Sequence, residues 1–203
     1  PQESVSGSKG VESAVSWLLI GVVLLAAFGP VMWLLPSKRD RHLAALRQQA
    51  RLEGLVVELR QLPILHPSAE ERVSAGAKLR NPVVECAAYS YRLPRRLKLV
   101  DGWRLRRDQP GTVAPGWVGD PALTDPRAAL AEVSQWLGDW LAALPDDAIA
   151  LELRPVSVDV YWLEKSSHDV QSVTSIAAQL MAIGGEIAAL DERKIAELTD
   201  EDS

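Results

Sequence analysis

From Ala14 to Leu35 the chain runs for 22 residues in which Ser16 is the only polar side chain and no residue is charged. A core helix of an ordinary domain carries polar positions on its outer side every turn or so. This run has only Ser16, at its start, and as a helix it reaches about 33 Å, against a hydrocarbon core of about 30 Å. The run therefore reads as a transmembrane helix over 14–35. Trp17 and Trp33 lie near its two ends, where amphipathic rings favour the headgroup layer. Gly29-Pro30 predicts a kink in its last third, tolerated where neighbouring packing re-satisfies the backbone. A secretory signal peptide would need a basic leader and a small-residue cleavage site. The flanks here are "PQESVSGSKGVES" and "PSKRDR", which supply neither.

The flanks also set an orientation. Lys9 is the only basic residue before the span, whereas Lys38, Arg39, Arg41, Arg47 and Arg51 follow it closely. Positive charge near a span stays on the cytoplasmic side, so the N-terminus is expected outside and the rest of the chain in the cytoplasm of a bacterial inner membrane. Lys38, Arg39 and Arg41, with Trp17 and Trp33, are then the membrane-interface residues. A lone Cys86 agrees with a reducing compartment.

The net charge of -5 hides a division. Residues 36–107 hold 16 basic and 7 acidic side chains, and residues 108–203 hold 5 and 18. Membrane polarity is one account: basic groups gain on the order of 1 kcal/mol each near an anionic leaflet, which repels acidic ones. The other is that the halves interleave in one fold and the asymmetry cancels in space.

Beyond the span the pattern is mixed. "RDRHLAALRQQARL" predicts a short helix with Leu43, Leu46 and Ala50 on one side, ended by Gly54. "LVVELRQL" alternates as a strand, with Leu55, Val57 and Leu59 on one face. Ser68 and Glu71 have capping-box spacing for another short helix. "PVVECAAYSYRL" reads as a strand opened by Pro82. In "LKLVDGWRLR" two β-compatible runs flank Asp101-Gly102, a type I′ hairpin signal that would place Arg96, Lys98, Arg104 and Arg106 on exposed faces. A Pro/Gly-rich loop follows to about Pro126. Asp125-Pro126 then predicts a helix start, with a stripe of Leu130, Val133, Leu137, Trp140, Leu141 and Leu144. "AIALELRPVSVDVYWLE" is one long strand, or two broken at Pro155. Val156, Val158, Val160 and Trp162 point inward, and Ser157 and Asp159 outward. A last amphipathic helix carries Val170, Val173, Ile176, Leu180 and Ile183, and Gly184-Gly185 is expected to stop it.

The expected class is α+β: one N-terminal transmembrane helix, then a cytosolic domain with a mainly antiparallel sheet packed by amphipathic helices. The expected organisation is an extracytoplasmic tail over 1–13, the span over 14–35, a basic juxtamembrane helix over 36–54, the α+β domain over 55–185 and an acidic tail over 186–203.

Chemistry-bearing motifs are missing from the sequence. It contains no G-x-G-x-x-G, Walker lysine loop, H-E-x-x-H or C-x-x-C. His42, His66 and His168 lie far apart, without metal-ligand spacing. His66 and Cys86 could meet as base and nucleophile; a buried thiol and a solvated imidazole are the plainer reading. Asp146-Asp147 falls at a helix-to-strand turn, where Asp serves local hydrogen bonding. No catalytic residue, metal or cofactor is expected, and a small-molecule ligand cannot be named. Seven tryptophans stand against one phenylalanine. Trp140 and Trp162 fit the core pattern. Trp103 and Trp117, with Arg95, Arg96, Arg104 and Arg106, are candidates for a partner surface, for contact with lipid headgroups, or, for the two rings, for core filling. Basic residues interleaved with aromatics also suit single-stranded nucleic acid, which a membrane anchor and net acidity argue against.

The elements Pro36, Lys38, Arg39, His42, Leu46 and Gly54, followed by a strand from Leu55, resemble the YajC family, small accessory proteins of the Sec translocon. The resemblance covers the first third of the chain and implies association with protein translocation. The hairpin, the Trp-bearing helix and the acidic half have no counterpart in it, and no functional residue is carried over. Together these readings predict a non-catalytic accessory or assembly subunit of a membrane protein complex, partnered by the bilayer. A membrane-anchored adaptor or sensor that recruits a soluble partner is the alternative, and an enzyme with an unrecognised site a third.

Overall fold

The computed structural model describes residues 17–24, 37–73, 76, 78–108, 111–121, 133–165 and 167–201. Within the apolar run, residues 17–24 are helical. Its remainder, with Gly29-Pro30 and Trp33, lies outside the described residues, as do Asp125-Pro126 and Leu130. The chain divides into two compact units, Pro1–Arg41 and His42–Ser203.

Helix α1 spans Lys38–Leu52. Ser37 and Asp40 cap its start reciprocally: the Asp40 amide donates to Ser37 Oγ at 3.1 Å, and the Ser37 amide to Asp40 Oδ2 at 3.0 Å. Gly54, at φ 80°, ends it, and the Leu55 amide reaches back to the Ala50 carbonyl at 2.8 Å. The strands are β1 (Val56–Pro63), β2 (Val83–Arg92), β3 (Trp103–Arg107), β4 (Trp117–Gly119), β5 (Ala148–Arg154) and β6 (Ser157–Trp162). Every pairing is antiparallel, in the order β1-β2-β6-β5-β3-β4. Helix α2 is Ser134–Ala143 and α3 is Val170–Glu201. The α+β class with an antiparallel sheet is thus what the fold shows.

One sheet face carries the main core. Tyr89, Trp103, Leu105, Leu151, Leu153, Val158, Val160 and Trp162 from the strands meet Leu46 and Ala50 of α1, Leu137, Trp140 and Leu141 of α2, and Val173, Ile176, Leu180, Ile183 and Ile187 of α3. Of the stripe expected around α2, Val133, Leu137, Trp140, Leu141 and Leu144 are buried, and Leu130 lies outside the described residues. By length and composition α3 could cross a membrane. One stripe of it, Val173, Ile176, Leu180, Ile183 and Ile187, is buried in the core, whereas Val170, Met181 and Leu198 are exposed, so we read it as an amphipathic core helix of this domain.

Several local expectations give way to tertiary contacts. Gly184-Gly185 does not stop α3, which continues to Glu201. Gly184 serves close packing: a Cβ there would lie 2.8 Å from the Tyr91 ring on β2, whereas one on Gly185 would meet nothing within 4 Å. Asp101-Gly102 makes no hairpin. Residues 93–100 are irregular, and β3 pairs with β5 and β4 instead. A carboxylate explains the difference. Asp191 of α3, fully buried, accepts the amides of Lys98 (3.0 Å), Leu99 (2.7 Å) and Val100 (3.1 Å), with Arg95 Nη1 at 3.3 Å. Amides committed to Asp191 cannot join a ladder. Ser68 and Glu71 form both capping-box bonds, at 3.2 and 2.8 Å, around a turn rather than a helix. The Pro/Gly-rich loop contains β4. Leu59 is exposed rather than inward, and Val156 sits exposed in the β5–β6 turn, whereas Ser157 and Asp159 are buried. Strands β5 and β6 are buried on both faces, which hydrophobic alternation alone does not reveal.

Gly185→Ala should raise stability by up to about 1 kcal/mol, since it removes glycine's helix penalty in open space. Gly184→Leu should lower it by about 1–3 kcal/mol through overpacking against Tyr91. Thermal or urea unfolding of the full chain in detergent tests this opposition of sign.

Burial alone would raise the Asp191 pKa, but the amides of Leu99, Lys98 and Val100 and the Arg95 charge outweigh it and hold the carboxyl below its ordinary 3.8. The site's contribution is therefore fully present above the ordinary value and lost as pH falls through the lower folded one. Asp191→Ala should cost about 3 kcal/mol at pH 7, and the gap to wild type should close below about pH 4 in unfolding titrations.

Candidate functional site

The most concentrated polar chemistry lies where α1, β2 and the segment after β6 converge. Glu164 follows β6 at φ 53°, a left-handed conformation that side chains other than glycine rarely adopt. Its buried carboxylate receives Arg47 in a two-point fork, Nε at 3.0 Å and Nη2 at 2.5 Å, and the Tyr89 hydroxyl at 2.8 Å. The pairing holds the Arg47 guanidinium charged, while burial first, then the Glu164 charge and hydrogen bond, push the Tyr89 phenol far above its usual range. Tyr89 meets Trp162 edge-on at 5.4 Å, and His168 stands edge-on to the same indole at 5.3 Å. The Trp162 indole N–H donates to Asp147 Oδ1 at 2.6 Å, the Lys165 amide to Oδ2 at 3.0 Å, and His168 Nε2 lies 2.7 Å from Oδ1. Ligand atoms of Asp146, Asp147 and His168 fall within 4.8 Å of one another, the one group among the described residues with the convergence to hold a metal ion. Asp147 already accepts hydrogen bonds from an indole and a backbone amide, with the His168 ring beside it. The cluster's evident work is to fasten the segment after β6 to the turn before β5.

A second network covers the other sheet face. Arg104 Nη1 donates to Asp120 at 3.0 Å and its Nη2 to Glu152 at 3.1 Å, while Tyr161 donates its hydroxyl to Glu152. Arg106 lies 3.6 Å from Asp120 and donates to the Pro63 carbonyl at 2.8 Å; Arg154 pairs with Asp159. Burial, then the Glu152 hydrogen bond and charge, push the Tyr161 phenol above its usual range. Glu152, Asp159 and Asp120 are all buried.

The sequence-predicted residues fall into three groups. Lys38, Arg39, Arg41 and Arg96 are exposed, as is Trp17 at 73%. Arg95 is half-buried and tied to Asp191, Glu192 and the Ala188 carbonyl. Trp103, Arg104, Arg106 and Trp117 do not form a surface. Trp103 is 1% and Trp117 2% exposed, both in the core, with the Arg107 guanidinium 4.7 Å above the Trp117 ring. The alternation of β3 is the reason: Trp103 and Leu105 point under the helices, and Arg104 and Arg106 point to the acids of the opposite face.

His66 and Cys86 have separate partners. His66 Nε2 lies 2.7 Å from Asp108, and the Cys86 thiol faces the Arg60 carbonyl at 3.6 Å. Burial pushes that thiol up to about 11, so it is protonated at neutral pH and a poor nucleophile. The basic and acidic halves interleave: Arg47–Glu164, Arg95–Asp191, Arg104–Asp120 and Arg104–Glu152 all join one to the other. Of the two accounts of the charge division, these pairs favour interleaving in one fold. Sequence reading missed Glu164, Glu152, Asp159 and Asp191. Its usable signal was a lone acid in an apolar context, as in "VSVDVYW" and "AIALELR", where burial demands a donor.

No family model, curated protein or solved structure matches the chain.

Removing either partner of the Arg47–Glu164 fork should destabilise the domain, and a double-mutant cycle of Arg47→Ala with Glu164→Ala should show coupling of about 2 kcal/mol. Tyr89→Phe should cost about 1 kcal/mol. Additive single-mutant effects in urea unfolding would show that the fork contributes nothing specific.

Proposed function

We propose that the chain is a single-pass protein of a bacterial inner membrane, whose domain after the span is a non-catalytic accessory or assembly module of a membrane protein complex. One observation carries this reading. The uncharged run 14–35 is helical where it is described, and Trp17, Leu18, Leu19, Ile20, Val22, Val23 and Leu24 are all exposed there. A helix that presents large apolar side chains all round has found no protein core, and lipid is the solvent that suits it. The charge asymmetry of its flanks favours an outer N-terminus and a cytoplasmic domain.

The non-catalytic part rests on how the buried acids are used. Glu164, Asp147, Glu152, Asp159, Asp120 and Asp191 each hold or face cationic, indole, phenolic or amide donors within the fold. Groups committed in this way are positioned for architecture rather than for proton transfer to a substrate. Association with protein translocation is the special case favoured by the YajC-like arrangement of Pro36, Lys38, Arg39, His42, Leu46 and Gly54.

The full chain should stay in membranes through carbonate extraction, and a reporter fused after Ser203 should be active only in the cytoplasm. Leu19→Lys with Val22→Lys should release the protein or abolish insertion, since each lysine at the span costs about 3 kcal/mol. A mild-detergent pull-down through a tag after Ser203 should return the same membrane proteins in repeated preparations. Extraction by carbonate, or a reporter active only in the periplasm, overturns the reading.

A further inference from the structure

The two edges of the sheet are finished differently. At β4 the Trp117 carbonyl accepts the amides of Thr112 and Val113, at 3.0 and 3.1 Å, so the chain covers its own edge. At the other end β1 is an eight-residue strand, and among the described residues no strand pairs along its outer side, although at its last residue the Pro63 carbonyl accepts from Arg106. Glu58, Leu59, Arg60 and Gln61 are consecutive exposed residues, with Leu59 at 71%. An exposed strand of this length is a template for another strand.

Which hydrogen-bonding groups it offers follows from the register. Beyond the last β1–β2 pair, Pro63 with Val83, the Ile64 amide donates to the Pro82 carbonyl at 2.9 Å. Antiparallel bonding alternates, so even-numbered residues of β1 bond to β2. Val57, Leu59 and Gln61 direct their N–H and C=O groups outward.

The segment Val57-Glu58-Leu59-Arg60-Gln61 is complementary to itself in one antiparallel register. With Leu59 opposite the same residue of a second copy, Val57 falls opposite Gln61, and Glu58 opposite Arg60 in both directions. The outward groups of 57, 59 and 61 then face one another as a ladder requires. The two Glu58–Arg60 pairs occupy non-hydrogen-bonded positions, where side chains approach most closely. Shifting the register by two residues places like charges, or charges and apolar groups, opposite each other. Pro63 has no N–H to give and ends the ladder. Edge charges deter pairing with arbitrary strands; a Glu-x-Arg sequence centred on a two-fold axis deters others and accepts its own copy. We propose that β1 is an isologous dimerisation edge, joining two copies of this chain into a continuous twelve-stranded antiparallel sheet across Leu59.

Disulfide trapping tests the register in the full chain, in its membranes or in mild detergent. Wild type is the background, because Cys86 is buried. Leu59→Cys should form a disulfide-linked dimer on mild oxidation, since the paired Cα atoms would lie about 5.5 Å apart. Gln61→Cys should not, because its own copy lies four positions along the ladder, about 13 Å away. Glu58→Arg should weaken dimerisation about tenfold, from two like-charge pairs per dimer, and Glu58→Arg with Arg60→Glu should restore it. A monomeric mass for wild type, equal trapping of both cysteine variants, or a charge swap that fails to rescue overturns the proposal.

Discussion

A carboxylate can be buried only with its donors in place, and this domain buries several on both faces of one sheet. Removal from water costs several kcal/mol per ion unless hydrogen bonds and opposite charge replace the lost hydration. The fold meets that demand with partners far away in sequence: Arg47 for Glu164, residues 95–100 for Asp191, Arg104 for Glu152. Each pairing fixes the placement of two elements at once. Arg47 sets α1 against the end of β6, and Asp191 sets the last third of α3 against the chain between β2 and β3. Well-packed apolar replacements often match such pairs in net stability. A slipped helix or strand would, however, leave a buried charge stranded, at a cost of several kcal/mol.

The same demand explains how a chain so polarised in sequence folds into one domain. Basic side chains cluster before residue 108 and acidic ones after it, and the sheet brings them together by placing β6 and β5 between β2 and β3. The late acidic strands are thus inserted among the early basic ones. Arg104 on β3 then faces Glu152 on β5 directly across the ladder, since the two residues are register partners. Electrostatic complementarity and strand order are the same fact seen at two scales.

This also marks where the sequence was legible. Elements whose signal is local and repeated were readable: the apolar stripe around α2, the β-run broken at Pro155 as one of two readings, the glycine that closes α1. Signals of one or two residues were readable only until a distant group competed for the same atoms. Asp101-Gly102 carries a genuine turn preference, yet the amides before it are worth more to Asp191 than to a hairpin. Gly184-Gly185 looks like a stop, yet the space above Tyr91 admits only glycine, and α3 continues because Ile187 and Asp191 still have partners to reach. Trp103 and Trp117 next to arginines resembled a recognition surface because alternation cannot tell solvent from a second buried face. The candidate partner surface failed for that reason, whereas the exposure of Lys38, Arg39, Arg41 and Arg96 needed no tertiary information.

Among the described residues, most buried charged side chains are engaged with one another inside the fold. A functional acid or base needs an environment that leaves it poised and reachable. Here the buried acids are engaged by donors, the one thiol is held protonated, and the two perturbed phenols donate to carboxylates. Exposed among the described residues are the apolar side chains of 17–24, the basic side chains of Lys38, Arg39 and Arg41, and Glu58 to Gln61 of β1. Elements such as α1 and β1 are already ordered by the fold beneath them, so a contact made through them would cost little further conformational entropy.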